Sequence, residues 1–194
     1  LMDRRGLQYD RQLLKPLMAG KTIEEGIIVM HQHYVLEEPV QELAQERRTL
    51  ISELLEREAA YIPGFLGVFE QLDRQPVKTA IATALDAALL AIVDKRLGLT
   101  DLFKGNVFCI AEVQNRSKPD PAIFLFSARK VGVAPAHCLV LGEAPHGISA
   151  AKLAGMACWA LASTFQGDLL TEADRVLHSY EQIGDQFAGP FTGL

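Results

Sequence analysis

The hydrophobic periodicity of this chain changes once, near Tyr61-Ile62-Pro63-Gly64, and that change limits what the chain can fold into. Upstream of it, apolar residues recur at helical spacing. Between residues 40 and 60, Leu43, Leu50, Ile51, Leu54 and Leu55 fall on one helical face. Glu42, Glu46, Arg47, Arg48, Glu53, Arg57 and Glu58 take much of the rest, with Glu53 and Arg57 at a favourable i,i+4 spacing. Pro16, Gly20, Gly26 and Pro39 punctuate the earlier part. This segment reads as several packed helices without a strand.

Downstream, short apolar runs alternate with helical stretches. Strands are expected over residues 77–82, 107–111, 138–141, 157–161 and 175–177. Helices are expected from Asp86 to Leu97, closed by Gly98; from Pro121, capped by Asp120, to Gly132; and from Ile148 to Ala154, closed by Gly155. Continuously apolar strands alternating with helices indicate an α/β fold with a parallel sheet covered on both faces. In such sheets ligands gather outside the carboxyl ends of the strands.

Composition narrows the class. With 194 residues, 49% of them hydrophobic and 22% charged, the chain is long enough for a real core and is neither disordered nor fibrous. No run of ~18 uncharged apolar residues exists to span a membrane. A formal net charge of -5 argues against a nucleic-acid partner. Cys109, Cys138 and Cys158 lie in apolar stretches without a CxxC, as expected of buried free thiols in a reducing, cytoplasmic compartment. The sequence starts at Leu1-Met2-Asp3-Arg4-Arg5, as if inside a helix, with no initiator methionine at position 1 and no signal peptide.

Three polar positions stand at strand ends. Thr83 follows an apolar strand and can either donate to a phosphate oxygen at the next helix start or only cap its own backbone. Lys118, in Asn115-Arg116-Ser117-Lys118-Pro119-Asp120-Pro121, is held extended by Pro119 in front of a helix start, which aims its ammonium group at a polyanion. Glu143 ends a buried strand and is either a charge partner of the next helix N-terminus or a ligand of Mg²⁺, an ion commonly held by one or two carboxylates plus phosphate. His146 reads as a loop residue. No His/Cys cluster suits zinc, and there is no Walker or GxGxxG loop.

Thr83, Lys118 and Glu143 are spaced by 35 and 25 residues, each after a successive strand. With their surroundings they resemble motifs II, III and IV of the haloacid dehalogenase (HAD) superfamily. The residues concerned are Ile81-Ala82-Thr83, then Ser117-Lys118-Pro119-Asp120-Pro121-Ala122-Ile123-Phe124, then the run from Leu139 through Glu143 to Met156. The helical part resembles the cap of the β-phosphoglucomutase and phosphoglycolate phosphatase branch, and Met18-Ala19-Gly20-Lys21-Thr22 its substrate-facing turn. The resemblance implies a Rossmann-like core over residues 61–194 with an inserted helical cap over residues 1–60. It implies a Mg²⁺-dependent phosphatase or sugar-phosphate mutase acting on a small phosphorylated metabolite through an aspartyl-phosphate. In that reading Thr83 and Lys118 bind the phosphoryl group, Lys118 takes part in catalysis, Glu143 holds Mg²⁺, and Lys21 meets the substrate from the cap. His31 and His33 are further polar candidates in the cap. A monomer or weak dimer is expected.

The chain departs from the family pattern in two places. No Asp-x-Asp, the family's nucleophile and acid/base pair, occurs at any aspartate from Asp3 to Asp185. In the family that motif lies on a central first strand, here expected ~20–30 residues before the position matching Leu1. Without that strand its neighbours would stand roughly 10 Å apart with unpaired backbone groups. Residues 1–194 are therefore expected to lack a central strand and to be inactive alone. Motif IV reads Gly142-Glu143, one methylene longer than an aspartate. The alternative is a catalytically dead HAD-like protein that binds a phosphorylated ligand or a protein partner.

Overall fold

The computed structural model describes residues 1–187. The upstream segment is helical, as its periodicity predicts: α1 (Arg11–Met18), α2 (Ile23–His33) and α3 (Val40–Glu58). The chain does not begin inside a helix; Met2 precedes a single 3-10 turn, Asp3–Arg5, and is buried against α2 and α3. Pro16, expected to punctuate, is accommodated within the last turn of α1. That helix is held at its start by Asp10, whose carboxylate accepts the Leu13 N–H, and along its length by the fully buried Leu14. In α3 the deeply buried positions are Leu43 and Ala44, whereas Leu54 is 47% exposed, so the apolar face turns outward along the second half of the helix. The expected Glu53–Arg57 pair is not formed among the described residues; Arg57 reaches Glu58 instead.

The downstream segment alternates: α4 (Phe65–Asp73), β1 (Ile81–Thr83), α5 (Ala87–Leu97), α6 (Leu99–Leu102), β2 (Val107–Cys109), α7 (Ala122–Val131), β3 (Leu139–Gly142), α8 (Pro145–Leu153), β4 (Ala157–Leu161), β5 (Arg175–Leu177) and α9 (Tyr180–Gln186). Strands are shorter than their apolar runs. Residues 77–80 stay outside β1, and β2 gives way at Ile110 to a 3-10 turn. Conversely, α8 starts three residues earlier than the apolar pattern indicates. Pro145 occupies its first position, where a missing N–H needs no partner.

All strand pairs are parallel, in two groups. β1 pairs with β2, and β3, β4 and β5 form a second sheet in that order. Among the described residues no ladder joins β1 to β3. The groups share one core nonetheless: Phe108 of β2, Ile123, Phe124 and Ala128 of α7, Ile148 and Ala151 of α8, and Cys158 of β4 pack together. On the other face Val68 of α4 and Ile183 of α9 cover Trp159 and Leu161. The helices α2 and α3 pack on α5 through Ile27, Leu43 and Leu89. Burying a side chain of this size contributes about 1.5–3 kcal/mol each. Two ties connect the helical and alternating segments nearby. Arg48 pairs with Asp86 at 2.6 Å, and Arg96 donates to the Glu56 and Ala59 carbonyls.

Candidate functional site

Lys118 lies at the centre of the carboxyl-end cluster. Its loop is braced at both sides: the Asp120 carboxylate accepts the Ala122 N–H at 2.8 Å, and the Lys118 N–H donates to the Gly20 carbonyl at 3.2 Å. Asp120 thus braces the start of α7 from one residue before its N-cap, which is Pro121 rather than the Asp120 that the sequence predicts. The Lys118 ammonium donates to the Ala82 carbonyl at 3.1 Å and sits 4.6 Å over the Phe124 ring. Burial pushes its pKa down to about 8, with the Cys158 thiol and the Glu143 carboxylate opposing that fall. A cation held on a carbonyl and a ring is under-compensated and suited to an incoming anion.

Thr83 ends β1, one residue beyond the carbonyl that Lys118 uses. Its Oγ1 accepts the Leu85 N–H at 3.1 Å, the local capping alternative. Asp86 then caps α5 by accepting from Ala88 and Leu89. Accepting that one bond leaves the Thr83 hydroxyl proton available to a phosphoryl oxygen.

Glu143 follows β3 and is exposed. The Thr164 hydroxyl donates to its Oε2 at 3.1 Å. Thr164 is in turn tied to α1, since the Lys15 ammonium donates to the Thr164 carbonyl at 2.9 Å. Among the described residues no three His, Cys, Asp or Glu side chains come together as a metal site. One carboxylate with one oxygen already engaged does not hold Mg²⁺ by itself.

The Gly20-Lys21 turn lies directly over these groups. Gly20 has φ +82°, and a Cβ there would stand 3.1 Å from Lys118 Cβ and 3.5 Å from His146 Cβ, so only glycine seats the turn this closely. Thr22 begins α2 with a capping box: its hydroxyl accepts the Glu25 N–H while Glu25 Oε2 accepts the Thr22 N–H at 2.7 Å. Glu25 Oε1 accepts from the Ser117 hydroxyl at 2.9 Å, across the gap to the Lys118 loop. Burial alone would raise the Glu25 carboxyl. The Thr22 and Ser117 donors and the nearby Lys21 charge overcome that effect and leave it below the ordinary carboxylate range.

His146 is not a loop residue. It stands in the first turn of α8 beneath the Gly20-Lys21 turn, with its Nδ1 buried and, among the described residues, without a hydrogen-bond partner. Burial and then the Lys21 charge hold its pKa down, against the Ala19 and Pro16 carbonyls. His31 and His33 are engaged elsewhere: His31 Nε2 meets the Glu38 carbonyl at 3.1 Å, and His33 stands edge-on to Tyr34. Of the thiols, Cys109 and Cys158 are buried as expected, whereas Cys138 is only half-buried.

The structure therefore gathers Thr83, Lys118, Glu143 and the Lys21 turn at one strand-end cluster. Sequence reasoning missed Glu25, Thr164 and the placement of His146. Thr22-Ile23-Glu24-Glu25 does carry a readable signal, the S/T-x-x-E capping pattern, which could have drawn attention to Glu25.

Comparison with known proteins settles the lineage. Residues 8–155 match the haloacid dehalogenase-like hydrolases. The chain belongs to this family. Among HAD relatives, it is 32% identical over 122 residues to hexitol phosphatase A of Escherichia coli, covering 63% of this chain and 55% of that one. It is 32% identical over 153 residues to the fructose-1-phosphate phosphatase YqaB of the same organism, 78% of each chain. The chain thus spans only about half the length of the first of these relatives. Its fold follows that of CbbY from Rhodobacter sphaeroides, solved in complex with phosphate, with a TM-score of 0.77 over 94% of this chain and 85% of that one at 21% identity. The mixed architecture with parallel strands is the HAD-like Rossmannoid fold. No helix among the described residues is long and apolar enough to cross a membrane.

Proposed function

We propose that this chain is the phosphoryl-binding part of a HAD phosphatase or sugar-phosphate mutase acting on a small phosphorylated metabolite. The observation that carries this reading is the half-buried Lys118, whose ammonium among the described residues meets a carbonyl and a ring, beside Thr83 and under the Lys21 turn. Phosphoryl transfer depends on charge neutralisation and positioning, which a fixed ammonium in a low-dielectric site supplies well. Lys118 and Thr83 take phosphoryl oxygens, and Lys21 meets the substrate from above. Residues 1–60 act as the cap and residues 61–194 as the core. Mg²⁺, when bound, neutralises phosphoryl oxygens; Glu143 would contribute one ligand, with phosphate oxygens and donors beyond this cluster completing the set. The free thiols fit a cytoplasmic protein, and the net charge of -5 fits a small-metabolite enzyme without nucleic acid, active as a monomer or weak dimer.

A second reading has its own observation. No Asp-x-Asp occurs in residues 1–194, so a binder of phosphorylated ligands without turnover also fits. Hydrolysis of p-nitrophenyl phosphate, with and without Mg²⁺, separates the two when run on residues 1–194 and on the full gene product. Turnover by the full product that Lys118→Ala abolishes supports the enzyme. Phosphate binding without turnover on a broad ester panel supports the binder. The expected result for residues 1–194 alone is binding without hydrolysis.

A further inference from the structure

The Glu25 carboxylate does more than a capping-box residue needs to do. The box is complete with one oxygen, because Oε2 takes the Thr22 N–H while the Thr22 hydroxyl takes the Glu25 N–H. The second oxygen is spent on Ser117, 92 residues away and adjacent to Lys118. A parallel backbone bond, from the Lys118 N–H to the Gly20 carbonyl, joins the same two loops. The glycine at position 20 lets the turn approach to contact distance of the Lys118 stem. Lys21 lies in that turn, close enough for its charge to act on both Glu25 and His146.

We propose that Glu25 is a positioning residue for phosphoryl recognition: it bolts the Lys21 turn to the Lys118 loop, so that the two ammonium groups converge on one phosphoryl group. The proposal rests on the functional reading above and deepens it. A lysine loses rotamer freedom when it is fixed for a ligand. A carboxylate hydrogen-bonded to both loops sets their spacing before the anion arrives, which is how preorganisation raises affinity. A residue that only caps α2 would stabilise the helix but leave anion binding indifferent to Ser117.

The test uses sulfate, a tetrahedral dianion whose charge is constant over the working range, titrated calorimetrically into residues 1–194. Ser117→Ala removes the bridge and leaves the capping box whole. Its sulfate affinity is expected to fall by about fivefold or more, and the loss is expected to vanish in a Lys21→Met background, because the bridge acts through Lys21. If Ser117→Ala gives no cooperative melt, Ser117→Cys, nearly isosteric but a poor donor, is read the same way. An unchanged affinity, or a loss that persists undiminished with Lys21→Met, overturns the proposal. Lys118→Met controls the underlying reading: if it binds sulfate as well as wild type, the phosphoryl site itself is wrong, and the role of Glu25 falls with it.

Discussion

Lys118 and Glu143 stand at the ends of two strand–loop units of the same cluster, and the fold treats them differently. The Lys118 loop is clamped by Asp120 from within and by Gly20 from the turn before α2, and its ammonium is drawn inside against Ala82 and Phe124. Glu143 is exposed and held through a single side-chain bond from Thr164. Burial makes the lysine's charge unfavourable for stability and therefore strong toward a ligand. Exposure leaves the carboxylate nearly neutral for stability and adaptable toward whatever joins it. The comparison teaches that the fold fixes the Lys118 ammonium in place, whereas it leaves the Glu143 carboxylate open to solvent.

The sharpest way to break this contrast is Lys118→Met. Sulfate or phosphate binding is expected to fall on the order of a hundredfold or more in calorimetry. At the same time the melting temperature is expected to rise by ~2–4 °C, since an under-compensated buried cation is replaced by an apolar side chain. A fall in melting temperature would mean that the ammonium is structurally satisfied as it stands.

The pH dependence should follow the same residue. The folded pKa of Lys118, about 8, lies below its unfolded value of 10.5, so the folded state gives up this proton first. Between those two values the unfolded chain binds more protons, and stability attributable to Lys118 is expected to rise with pH through that window. Sulfate affinity moves the other way, weakening by up to about tenfold per unit above pH 8 until the bound-state pKa is reached. Melts and titrations from pH 7 to 10, with Lys118→Met as the flat control, measure both slopes.

Glu143→Gln sharpens the other half of the comparison. Its melting temperature is expected to stay within about 2 °C of wild type, because an exposed hydrogen bond contributes about 1 kcal/mol or less. Any Mg²⁺ enhancement of phosphate binding should disappear. The smallest effect is expected from Thr164→Val, which removes the Glu143 tether: about twofold weaker Mg²⁺ enhancement with stability unchanged. A larger effect on stability would show Thr164 to be a structural bond instead.

The legible parts of the fold were those governed by near neighbours in sequence. Gly98 and Gly132 close α5 and α7 in left-handed conformations, and Asp86 caps α5 at the expected place. Those signals act within one turn, so a linear reading captures them. Boundaries failed where tertiary context took over. Residues 77–80 are apolar enough for a strand but lie outside the β1–β2 ladder, and Leu54 belongs to the right helical face but is left half exposed. For the site, Thr83 and Glu143 could be placed at strand ends, and Lys118 in a loop beyond one, because strand ends are where a parallel sheet presents polar groups. Glu25, Ser117 and Thr164 could not be assigned their bonds, because partners 92 and 21 residues apart are chosen by packing.

By itself, the sequence determined that helices would precede an alternating α/β segment, that the strands would run parallel, and that three polar residues would stand at their ends. Periodicity and capping are local free-energy preferences, and they do not depend on where the remote chain goes. Only the tertiary structure decided that the Gly20 turn closes over Lys118 and that one glutamate joins the two loops that carry Lys21 and Lys118. Those outcomes depend on burial and on hydrogen bonds between distant segments, whose strength is set by the excluded water around them rather than by any residue's neighbours in the chain.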